Sequence, residues 1–95
     1  MAKDYKAKFL LGRLLATPGA LQALEEAGQN AVEFLSRHQH GDWGDLDEED
    51  KKENNLSILN NWRILSAYTP KTGVKIWIIT EADRSSTTIL LPDEY

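Results

Sequence analysis

The sequence predicts an α+β domain: an N-terminal strand, three helices, then a three-stranded antiparallel meander with the helices packed on the sheet. Three observations carry that expectation. Between Thr17 and Asn61, apolar residues recur at helical spacing behind capping side chains. From Trp62 onward the texture changes to β-branched and aromatic residues divided by turn formers. The third observation is length, because a chain of 95 residues has room for one core, so residues 1–95 form a single domain.

The first apolar run, Lys8 to Ala16, fits a helix or a strand by spacing alone, but Gly12 in its middle and Thr17-Pro18 just after it favour a strand. Thr17 then reads as an N-cap with Pro18 at the first helical position and Gly28 as the stop, which places a helix over 18–27. Leu21 and Leu24, with Ala20, Ala23 and Ala27, form its expected apolar face. Asn30 opens a second helix, where Glu33 completes a capping-box spacing and Val32, Phe34 and Leu35 supply the buried side up to His38–His40. The acids Asp47, Glu48, Glu49 and Asp50 suit the positive end of a third helix, about 47–61, with Leu56 and Leu59 as its clearest core positions and Ile58 beside them. Asn54, Asn55, Asn60 and Asn61 are poor helix formers and predict fraying there.

Arg63 to Tyr68, Val74 to Thr80 and Thr87 to Leu91 are the expected strands, joined by 69–73 and by the turn around Ala82–Ser86. Val74–Ile79 is almost continuously apolar, so its strand should be central. Trp77 alternates with Ile76 and Ile78 and must lie on the opposite face. If left uncovered, Trp77 with Ile79, Leu65 and Leu90 would make an apolar patch suited to a partner or to a second copy of the chain.

Two polar concentrations are candidate sites. The first runs from His38 to Glu49, where His38 and His40 with Asp42 and Asp45 are acceptable ligands for zinc, manganese or nickel. Helical positions two apart diverge, so both histidines could share an ion only if the chain has left the helix near Gly41. The simpler account expects no metal: His38 caps or packs on the helix end as an imidazolium, His40 is solvated, Gly41 and Gly44 permit positive φ, and Trp43 folds back as a plug. The second concentration is Glu81 to Thr88, where Glu81 or Asp83 would act as general base with Arg84 as anion clamp, or else Asp83 bonds turn backbone and Arg84 pairs with Glu81 or another acid. No phosphate-loop or serine-triad motif accompanies either, and no cofactor is expected.

A net charge of −4 opposes nonspecific nucleic-acid binding. The interrupted apolar stretch 9–16 is too short to span a bilayer and makes a poor signal peptide. The lack of cysteine excludes disulfides and thiolate chemistry and agrees with a reducing cytoplasm.

Taken together, Leu11-Gly12, Ala16-Thr17-Pro18-Gly19-Ala20-Leu21, Phe34-Leu35 with His38, Gly41-Asp42-Trp43-Gly44, Ile64–Tyr68, Ile76–Ser85 and Thr87–Pro92 resemble a family of short bacterial proteins of plasmids and integrative elements, often labelled plasmid-related. The asparagine-rich 54–61 stretch departs from the more charged helix of that family. The resemblance implies a mobile-element origin, and with no catalytic signature in the chain the leading expectation is a noncatalytic protein-interaction module, an adaptor or inhibitor of a host system. Binding would fall to Trp43, Asp42, Asp45, Arg84 and Trp77. A small hydrolase or ribonuclease using His38 or His40 with Asp42, Glu81, Asp83 and Arg84 is the alternative, and it requires the two polar segments to converge. A homodimer joined through the sheet is the third.

Overall fold

The strands and helices follow the sequence closely in the computed structural model, which describes residues 7–95. The elements are β1 (Arg13–Ala16), α1 (Pro18–Ala27), α2 (Ala31–Gln39), α3 (Glu48–Asn60), β2 (Ile64–Tyr68), β3 (Ile76–Thr80) and β4 (Ser86–Leu90), closed by a 3-10 turn, Pro92–Glu94. The domain is α+β. Strands β2, β3 and β4 form the antiparallel meander, and β1 joins it in parallel beside β4, giving the order β1-β4-β3-β2.

The helix starts are chemical. Thr17 Oγ1 accepts from the Ala20 N–H at 3.1 Å, Asn30 Oδ1 from Val32 at 2.9 Å and Asp47 Oδ1 from Asp50 at 2.8 Å. The reciprocal half of the expected capping box at α2 is not made, since the Glu33 carboxylate accepts from the Gln29 side chain instead. At the other end of the run 8–16, only Arg13–Ala16 pairs as strand. Gly12 has a φ of +68° and lies so close to the Arg84 and Ser85 carbonyls that a Cβ would collide with them, so the chain bends there and Phe9 turns inward.

The register sets two faces. Ile64, Ser66, Tyr68, Ile76, Ile78, Thr80, Thr87 and Ile89 share the inner face, on which α1 and α2 pack through Ala20, Ala23, Leu24, Phe34 and Leu35. A second cluster joins Phe9, Trp43 and Ile64, with Leu46 and Ile58 against it. Four expected core positions are corrected here: Leu21, Val32 and both Leu56 and Leu59 of α3 are exposed, Leu59 by 78%.

The reason for α3 lies at the outer edge of β2. Asn54 Nδ2 donates to the Leu65 carbonyl at 2.7 Å while Leu65 N–H donates to Asn54 Oδ1 at 3.2 Å, so one side chain imitates a neighbouring strand. Ala67 N–H donates to the Trp43 carbonyl and Asp45 N–H donates to the Ala67 carbonyl, which extends the cover along the same edge. Helix α3 therefore buries Asn54 because it meets backbone groups that demand partners, adds Ile58 to the second apolar cluster, and turns the buried Ser57 hydroxyl back onto the Glu53 carbonyl of its own helix.

Candidate functional site

The segment between α2 and α3 straps the edge of β2. Gly44, at φ +75°, sits against Ala67, where any Cβ would overlap the carbonyl oxygen and crowd the Tyr68 ring. Trp43 is buried, stacks on Phe9 with centroids 6.2 Å apart and donates its indole N–H to Asn55 Oδ1 at 3.1 Å. Asp42 forms an ion pair with Arg37 at 2.7 Å, and that guanidinium holds the carboxyl below its ordinary range while Asp42 in turn raises Arg37. The Tyr68 hydroxyl donates to the Asp42 carbonyl and burial pushes its pKa up to about 12. Asp45 accepts from the Thr69 hydroxyl.

His38 is not an imidazolium at the helix end. It is fully buried on the stripe of α2 shared with Phe34 and Leu35, and burial lowers its pKa to about 3, so it is neutral. Its two nitrogens contact the Ser66 and Thr80 hydroxyls, Thr80 contacts Thr87 at 2.7 Å, and Thr87 bonds the Leu11 carbonyl at 2.7 Å. Counting protons from the carbonyl fixes every direction. Leu11 O can only accept, so Thr87 donates to it; Thr80 then donates to Thr87, His38 Nε2–H donates to Thr80, and Nδ1 accepts from Ser66. Nε2 thereby carries the proton, and the one ring lone pair that could bind a metal, on Nδ1, is occupied. His40 lies at the helix end, where its Nδ1–H donates to the Ser36 carbonyl at 2.7 Å. Among the described residues, no group of three or more His, Cys, Asp or Glu could hold a metal ion.

Arg84 is a clasp. At φ +61° it turns its guanidinium onto the carbonyls of Ser57, Trp62, Glu81 and Ala82, at 2.7–3.1 Å, and lies 5.7 Å from the Phe9 ring centroid. It thus binds the end of α3, the link between α3 and β2 and the β3–β4 turn together, with its pKa lowered by burial. The expected ion pair of Arg84 with an acid is replaced by these backbone bonds, and Glu81 pairs with Arg63 at 3.6 Å. Asp83 accepts from the Ser85 N–H as expected of a turn, and the hydroxyl and N–H of Ser85 lower its pKa. His38 and Arg84 approach only through Phe9, whose ring stands edge-on to His38 at 5.2 Å, while Asp42 is held by Arg37. The candidate catalytic groups are not gathered in one cleft.

A groove of about 630 Å³ opens instead between α3 and the outer sheet face. Its floor is Leu65, Trp77 and Ile79, which the register places side by side as expected; Ile79 is buried and Trp77 and Leu65 are half-buried. Sequence reasoning missed its other members: Trp62 and Tyr95, 53% and 66% exposed, and Asp50, Glu53 and Arg63. Trp77 and Tyr95 meet edge-on at 5.8 Å, and Arg63 covers the Tyr95 ring and donates to its hydroxyl at 2.6 Å. The only available signal was the i, i+3 spacing of Asp50 and Glu53, which sets both on one side of α3.

No helix among the described residues is long and apolar enough to cross a membrane. No family model, curated protein or solved structure matches this chain.

Proposed function

We propose that the chain is a noncatalytic protein-interaction module, and that its partner docks in the groove between α3 and the outer sheet face. The observation that carries this reading is the open concavity bearing Trp62, Trp77 and Tyr95. Aromatic side chains with large exposed surfaces are the usual anchors of protein interfaces. The residues on which hydrolysis would depend, His38, Asp42 and Arg84, are committed to bonds that hold the fold. A cytoplasmic adaptor or inhibitor from a mobile element is the setting suggested by the sequence resemblance and by the lack of cysteine.

The test is a tagged pull-down from the native host with mass spectrometry, comparing wild type with Trp62→Ala. Trp62 is chosen because its side chain is exposed, whereas Trp43 and Arg84 cannot be removed without damage to the fold. A stoichiometric partner captured by wild type and lost from Trp62→Ala supports the reading. Capture unchanged by the substitution, or no partner at all, removes it.

A second reading is self-association through β1. This outermost strand carries Leu14 and Leu15, exposed by 55% and 44%, and no element covers its free side among the described residues. Light scattering across a concentration series decides it, and a monomer at every concentration rejects it.

A further inference from the structure

The groove has an uneven charge. Asp50 and Glu53 project from α3 along one wall, and neither carboxylate has a cationic partner among the described residues. Arg63 is the one cation in the lining, and it is already engaged: its guanidinium pairs with Glu81, donates to the Tyr95 hydroxyl and lies over the Tyr95 ring at 5.4 Å. What remains open is an apolar, aromatic floor beside two unpaired carboxylates. This is complementary to a planar cation that can lay one face on an indole while its N–H groups reach a carboxylate.

We propose that the groove receives an arginine side chain flanked by aliphatic residues on a peptide segment of the partner protein. This deepens the reading of the chain as an interaction module and rests on it. Arginine fits better than lysine because its flat, weakly hydrated guanidinium stacks on Trp77 or Trp62 and still offers a fork to Asp50 or Glu53. The peptide context follows from size and surface. A volume of about 630 Å³ exceeds one guanidinium, and the floor of Leu65 and Ile79 calls for aliphatic neighbours beside the cation.

The experiment uses the full chain labelled with ¹⁵N and two capped pentapeptides, Gly-Leu-Arg-Leu-Gly and the same peptide with citrulline, which keeps the shape of arginine without its charge. The indole N–H signals of Trp62 and Trp77 report the groove, and that of buried Trp43 serves as the internal reference. The arginine peptide is expected to shift the Trp62 and Trp77 signals saturably and to bind at least about tenfold more tightly than the citrulline peptide, the difference one charge-assisted contact gives. In an Asp50→Asn, Glu53→Gln variant with an unchanged unfolding midpoint, that preference should vanish. Equal binding of the two peptides, a preference that survives in the variant, or no shift with either peptide overturns the proposal. Because partner capture is read separately through Trp62→Ala, absence of any arginine preference in the wild-type chain alongside retained, groove-dependent capture refutes the occupant and leaves the interaction module standing.

Discussion

At the scale of single residues, His38 ties α2 to β2, β3 and β4 through hydroxyls, and its neutrality makes the fold sensitive to acid. Its pKa of about 3 in the folded chain lies below the ordinary 6.5, so between these values the unfolded chain binds the extra proton. Stability is therefore complete above pH 6.5 and falls as pH drops, by about 1.4 kcal/mol per unit. Urea unfolding between pH 6.5 and 5, where Asp42 and Asp83 with their lowered pKa values stay ionised, should show this slope in wild type and lose it in His38→Gln. A backbone counterpart is Gly44→Ala, expected to lower stability by at least about 1–3 kcal/mol in the same assay, since it combines a left-handed backbone with a collision at Ala67. The burial of His38 was legible in outline, because Phe34, Leu35 and His38 share an i, i+1, i+4 stripe, and Ser66 and Thr80 alternate inward with Tyr68 and Ile78. Its protonation state was not legible, because that depends on where strands far along the chain bring their hydroxyls.

At the scale of elements, α3 behaves as a hydrogen-bonding cover for a strand edge. Replacing Asn54 with leucine, similar in volume and a better helix former, should destabilise the chain by about 1–3 kcal/mol, because it leaves the Leu65 N–H and C=O without partners. Hydrogen exchange should quicken at Leu65 while the amides of β3 keep their protection. An unchanged stability in Asn54→Leu would show that the edge is satisfied otherwise. The expectation that Leu56 and Leu59 face the core came from assuming an apolar contact surface for every helix. The asparagines that predicted fraying were the better clue, since an amide is the side chain able to stand in for a peptide group. By contrast α1 was legible to the residue, because Thr17-Pro18 and Gly28 act locally and need no tertiary partner.

Across the whole molecule, apolar residues divide sharply between interior and surface. Leu24→Ala, in the inner core, should cost about 2–5 kcal/mol, whereas Leu59→Ala should stay within about 0.5 kcal/mol of wild type when both are measured by chemical denaturation. The meander was readable from turn residues and alternation, but the parallel docking of β1 beside β4 was not, since it is settled by how the intervening helices carry the chain across the sheet. The groove was half-readable: alternation placed Trp77, Ile79 and Leu65 together, while Trp62 and Tyr95 reach it from outside any strand. The two margins of this sheet also differ in kind. One is sealed by Asn54 and the Gly44 strap, and the other, at β1, has no further neighbour among the described residues, so among them the sheet has one bare margin on which it can grow. Copies meeting there would use up the bare margins of both, leaving a closed pair with two sealed ends and no route to a fibre.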